Sequence, residues 1–265
     1  MSTYYKYPRT FHFSHSENLQ NDDRYFRGIK FLEGQEVIAS LKLDGEGCHW
    51  YNDYIHARSI SKSDHPSRHW VKQLHASVKY DIPDGWRICG ENVYALHSIY
   101  YTNLPTYFFV FGIYNEKNEC LKWDEICEYC DILNLYTVPV FYRGIFDIKK
   151  IHETFLNYNF DIKGWTFNQG NKDDWYNLYP FMDINEMLNC FDFNNFRQRI
   201  DNQNDIEKFG IPIQEGYVVR LAESFNYDDY TSKCCAKWVR KNHVCSSNFW
   251  LNEKIIPNKL RDNND

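Results

Sequence analysis

The chain has no apolar run of the roughly 20 residues that a membrane-crossing helix needs. It has no amino-terminal stretch of the charged-then-apolar kind that directs secretion. It also has no excess of basic residues: 30 Lys and Arg against 36 Asp and Glu leave a formal net charge of −6. That balance excludes a coat held on nucleic acid by whole-molecule charge, so any nucleic-acid site has to be a local basic patch. The 9 cysteines follow no regular framework, and their odd count without a secretion signal fits a reducing, cytoplasmic location. Cys127 and Cys130 form a C-x-x-C, but no second pair stands at zinc-like spacing. They fall in a helical pattern and read as buried helix cysteines. Residues 159–210 are rich in Asn and Asp, with no repeat and no catalytic pattern; Phe191, Phe193 and Phe196 read there as core.

What the chain does have is aromatic residues, at 18% of the total, which favour β-rich structure and stacking surfaces. Its 265 residues suffice for a substantial core, as one large domain or two small ones. Residues 1–27 read as an extended leader with surface histidines at His12 and His15. Residues 35–56 read as a hairpin turning at Asp44-Gly45. A helix is expected over Ser67–Lys79 and strands over Trp86–Val93 and Tyr107–Ile113. Helices follow over Trp123–Leu133 and Asp147–Tyr158, with a strand at Val138–Tyr142 between them. Strands at Gln214–Leu221 and Cys234–Val244 end the pattern.

The organising stretch is Ser40-Leu41-Lys42-Leu43-Asp44-Gly45. It places a lysine at the end of a strand, held on a rigid element. A free lysine has a pKa of about 10.4 and is a poor nucleophile at neutral pH. Desolvation or nearby positive charge would lower that value and free the lone pair. A four-residue K-x-D-G recurs by chance, so its company matters. Gly90-Glu91 ends one strand, and Phe108-Phe109-Val110-Phe111 forms an aromatic one. Glu215-Gly216-Tyr217-Val218 opens a third, and Ala236-Lys237-Trp238-Val239-Arg240-Lys241 makes a basic one.

In this order and spacing these stretches resemble the motifs of covalent nucleotidyltransferases, the RNA ligases, DNA ligases and mRNA capping enzymes. They most resemble ATP-dependent RNA ligases, from about Lys42 to Val244. The resemblance implies an α+β fold, with antiparallel sheets flanked by helices and an ATP cleft between them. It implies one nucleotidyltransferase domain over residues 1–245, including a leader of roughly 30 residues, then a short tail over 246–265. The tail leaves no room for an oligonucleotide-binding barrel. Lys42 would be the nucleophile, Glu91 a ribose contact, and Phe111 (Phe109 second) the ring that stacks on the purine. Arg58 would meet the nucleotide sugar or an RNA terminal hydroxyl. Glu215 would hold Mg²⁺ (or Mn²⁺), which prefers a few carboxylate and phosphate oxygens. Lys237 would meet the α-phosphate, together with Arg240 or Lys241. Two departures stand out: Gly112 replaces the aspartate usual after the stacking ring, and Val239 fills the gap usual between the two cations. The implied reaction joins RNA 5′-phosphate and 3′-hydroxyl ends, alone or with a partner protein that heals ends or grips RNA. An mRNA capping guanylyltransferase using GTP, or a silent RNA-binding relative, is the alternative.

Overall fold

The computed structural model describes residues 4–16, 19, 23–60, 64–97, 99, 101, 104–158, 214–240 and 255–260. The first half contains β1 (Phe11–His12), α1 (Ile29–Leu32), β2 (Glu36–Lys42), β3 (Glu46–Trp50), β4 (Ile55–Ala57), α2 (His69–Val78), β5 (Arg87–Asn92) and β6 (Phe108–Tyr114). The second contains β7 (Glu119–Cys120), α3 (Trp123–Ile132), β8 (Tyr136–Thr137), β9 (Val140–Ile145), α4 (Ile148–Tyr158), β10 (Gly216–Leu221), β11 (Phe225–Asn226) and β12 (Cys235–Val239). The fold is α+β, with two largely antiparallel sheets. One has the order β1-β12-β10-β2-β9; the other has β11-β7-β6-β5-β3-β4, with β8 beside β6.

Residues 35–56 do not form the expected hairpin. β2 pairs with β10 and β9 in the first sheet, while β3 pairs with β4 and β5 in the second. Val37 to Leu41 are buried on both faces of β2. A strand so apolar takes a central place in its sheet, with neighbours on both sides. Asp44-Gly45 therefore carries the chain from one sheet to the other. The crossing is tight: a Cβ on Gly45 would stand 2.5 Å from the Asn92 carbonyl oxygen.

Alternation along the strands sorts the layers. Tyr217 and Trp238 stack at 5.4 Å on one face of the first sheet, and Phe155 of α4 packs on both. Val218 and Lys237 point to the other face, towards the second sheet. On that sheet Trp50 stacks on Phe108 at 3.9 Å, and His75 of α2 packs edge-on to Trp50. Cys130 is buried and Cys127 half-buried, both as free thiols on α3.

The leader is more than extended chain. β1 pairs in parallel with β12, setting Phe11 beside Ala236 and His12 beside Lys237. His12 is consequently buried at 1% exposure, against the expected surface position, while His15 is exposed. Leader polarity gives no hint of this, because the partner strand comes from the far end of the chain.

Residues 255–260 dock on the loop between β5 and β6. Asn258, 1% exposed, donates from Nδ2 to the Val93 carbonyl at 2.7 Å and accepts from the Tyr101 amide at 2.9 Å. Tyr101 in turn accepts from the Asp44 amide at 3.0 Å, and the Ile99 amide donates to Asp44 Oδ2 at 2.9 Å. The turn beside Lys42 is thus held by a loop that Asn258 holds. Asn258→Ala leaves two buried groups without partners, each worth about 1–3 kcal/mol. It is expected to lower unfolding free energy by about 2–6 kcal/mol in urea titrations; an unchanged midpoint would contradict this packing.

Candidate active site

Lys42 closes β2, and its cross-strand partner on β10 is Gly216. Glu215 immediately precedes that strand, so strand pairing alone brings the two side chains together. Lys42 Nζ donates to Glu215 Oε2 at 2.6 Å. The glutamate side chain is 8% exposed and the lysine 26%, so the pair is accessible from the lysine's side. Lys42 stands in the wall of a cavity of about 300 Å³, within the range of small-ligand sites.

Ser40, Val218 and Lys237 lie abreast on three adjacent strands and line this cavity. The second sheet contributes Gly47, His49, Glu91 and Phe111. Arg58, exposed in the loop after β4, lines the cavity as well. So do Tyr7 to Thr10 of the leader. The sheets therefore bring Lys42, Arg58, Glu91, Phe111 and Lys237 to one cavity, with Glu215 reaching it through Lys42. Phe111 is half-buried, whereas Phe109 is 0% exposed and belongs to the core.

Arg240 has a different place. It does not line the cavity; its Nε donates to the Gln214 carbonyl at 3.1 Å and its amide to the Glu215 carbonyl at 3.1 Å. Burial pushes its pKa down to about 10. It fixes the backbone that carries Glu215. Lys241 and Lys62 lie outside the described residues. Gly90 faces a packed neighbour. A Cβ there would collide with the Phe108 ring and the Phe109 carbonyl, so the glycine serves strand packing at the bulge between Cys89 and Gly90.

The electrostatics run opposite to the sequence expectation for the lysine. Burial by itself would lower the Lys42 pKa, but the carboxylates of Glu215, Glu91 and Asp44 outweigh it and hold the ammonium above the ordinary lysine value. Burial pushes Glu91 up to about 8; Lys42 opposes this, while Glu215, Asp44 and Glu46 add to it. Glu46 itself is gripped by Arg68 through Nε at 2.7 Å. On the opposite strand, Lys237 Nζ lies 3.9 Å from Asp23, which also meets His12 Nε2 at 3.3 Å. Burial and the nearby Lys237 charge push His12 down to about 4, so it is neutral at physiological pH.

This donor set suits a divalent cation among phosphates. Glu215, Glu91 and Asp44 stand around Lys42, and Glu91 is raised chiefly by its burial. Among the described residues no group of three or more His, Cys, Asp or Glu could hold a metal by itself. An ion completed by phosphate oxygens and water needs no such cage. Two features of the site escaped the sequence reading. Tyr7 lies in the leader, and nothing local connects it to the cavity. His49 shares the strand face of Gly47, so alternation from Gly47 along β3 was the available signal.

Glu91 yields a pH expectation. Its ordinary pKa is 4.5 and its folded value about 8, so in that window the folded chain holds a proton that the unfolded chain lacks. Stability then falls as pH rises from about 4.5 to 8. Glu91→Gln should flatten this part of the urea-midpoint profile. An equal slope in both proteins would contradict the assignment.

The RNA ligase family model matches residues 35–239. No curated protein matches the sequence. Solved structures similar to the chain include a mutant Naegleria gruberi RNA ligase with ATP and Mn, at 14% identity and a TM-score of 0.41 over 88% of this chain and 57% of that one. An archaeal ATP-dependent RNA ligase is similar at 13% identity and a TM-score of 0.43, over 89% and 48%. A putative ATP-dependent DNA ligase from Aquifex aeolicus gives 16% and 0.42, over 91% and 56%. The chain thus spans about half the length of these structures. With residues 35–239 of 265 matched by its model, the chain belongs to the RNA ligase family.

Proposed function

We propose that the chain is an ATP-dependent RNA ligase that joins 5′-phosphate and 3′-hydroxyl RNA ends through lysyl-AMP and RNA-adenylate. The observation that carries this reading is the contact of Lys42 with Glu215 at a cavity that Glu91, Phe111 and Lys237 also line, within the region matched by the family. Lys42 Nζ first loses a proton to water; its lone pair then attacks the α-phosphorus of ATP, a phosphorus–nitrogen bond forms as the bond to pyrophosphate breaks, and the nitrogen gives a second proton to water. The 5′-phosphate of RNA then takes the AMP and releases Lys42. A 3′-hydroxyl finally attacks that activated phosphate, forms the phosphodiester and expels AMP.

The chain's part is positioning and charge, the main levers in phosphoryl chemistry. Phe111 offers a face for the base, and Glu91, largely protonated below pH 8, offers a hydrogen bond to a ribose hydroxyl. Lys237 offsets charge developing at the α-phosphate. Arg58, exposed at the cavity rim, suits a sugar or a terminal RNA hydroxyl. Arg240 keeps Glu215 in place. Glu215 would hold Mg²⁺ or Mn²⁺, which would supply positive charge beside the phosphates. With a net charge of −6 the chain would grip RNA weakly alone, so a partner protein that binds RNA or heals its ends fits the reading.

Incubation with ATP or GTP labelled at the α-phosphate tests the proposal. An adduct with ATP is expected, and Lys42→Ala should abolish it. Lys42→Arg should fail as well, because a guanidinium stays protonated. Glu215→Ala and Lys237→Ala should each slow adduct formation by about 100-fold. A GMP adduct would establish the capping alternative, and no adduct at all the silent relative.

A further inference from the structure

We infer that His49 reads the edge of the nucleobase, accepting a hydrogen bond from an exocyclic amino group such as adenine carries at C6. The inference rests on the proposed ATP-dependent reading of this cavity. His49 is 1% exposed and yet lines the cavity. Neither of its ring nitrogens has a hydrogen-bond partner among the described residues. Buried polar atoms without partners are uncommon, because each carries a desolvation cost that nothing offsets. An orphaned nitrogen in a cavity wall is a place where a ligand atom can bond.

Its position says which one. Gly47 lies opposite Glu91, and His49 follows on the same strand face. The His49 and Phe111 rings stand 6.5 Å apart at 69°, so His49 presents its plane at an angle to the stacking face. Phe111 on β6, Glu91 on β5 and His49 on β3 thus occupy one wall of the cavity. The imidazole is held for the task by Tyr7, which packs parallel to it at 5.2 Å and 6°, and edge-on to Phe111 at 5.0 Å. Burial, with His56 and Arg87 nearby, holds the His49 pKa well below the ordinary imidazole value. A neutral imidazole keeps one acceptor nitrogen. Turned to the cavity, that acceptor matches the amino group of adenine and meets the C6 oxygen of guanine unfavourably.

The test is a set of calorimetric affinities for ATP, GTP and purine riboside triphosphate, which is ATP without the amino group. Wild type is expected to bind ATP about tenfold more tightly than the deaminated analogue. In His49→Leu that ratio should fall to about one, while His49→Gln, which keeps an acceptor oxygen, should retain part of it. A wild-type ratio near one overturns the inference, as does an unchanged ratio in His49→Leu. If His49→Leu fails to melt cooperatively, His49→Phe takes its place with the same two outcomes. Intact discrimination without a lysyl-AMP adduct would sink the ligase reading and leave this inference standing. An adduct without discrimination would do the reverse.

Discussion

The contact between Lys42 and Glu215 is the constraint on which the rest of the structure converges. Placing two charges out of water is costly, and an ion pair seldom repays that cost in stability. Here it joins the ends of β2 and β10, so strand register decides whether it exists at all. Arg240 grips the backbone around Glu215 from β12. Asp44, two residues past the lysine, is held by Tyr101 and Ile99, and Tyr101 is held by Asn258. Both halves of the pair are therefore anchored by residues distant in sequence.

The same contact sets the resting state. With Glu215, Glu91 and Asp44 around it, Lys42 keeps its proton. A charged ammonium has no lone pair to give, so on the proposed function the free cavity holds a lysine that is positioned but not yet nucleophilic. On the opposite wall the leader plays its own part. β1 brings His12 beside Lys237, Asp23 further along the leader meets both, and Tyr7 packs on His49 and Phe111. The leader is thus a wall of the cavity as well as a strand of the first sheet.

Much of this was legible in the sequence, for a physical reason. Lys42, Glu91 and Glu215 lie at or beside strand ends, where a short pattern fixes both the strand and the place of the side chain. Phe111 could be singled out from Phe109 by position, and alternation put Lys237 on one face and Trp238 on the other. What alternation cannot provide is the partner. β2 and β3 looked like a hairpin because an apolar strand and an Asp-Gly turn stand together, and nothing local shows that they serve different sheets. His12 looked exposed because the strand that buries it lies near the other end of the chain. The resemblance offered Arg240 or Lys241 as a phosphate contact, and the Arg240 side chain turns to the Gln214 carbonyl. His49 carried its signal in the period-two pattern from Gly47, but a lone histidine on a strand is more often core.

The most direct test of the central claim is the titration of Lys42 itself, followed by NMR with carbon-labelled lysine side chains. In the free protein Lys42 should remain charged beyond the ordinary lysine value of about 10.4. In Glu215→Gln its pKa should fall, because burial persists while one carboxylate is gone. A Lys42 that titrates below the ordinary value in wild type, and does not respond to Glu215→Gln, would contradict the account.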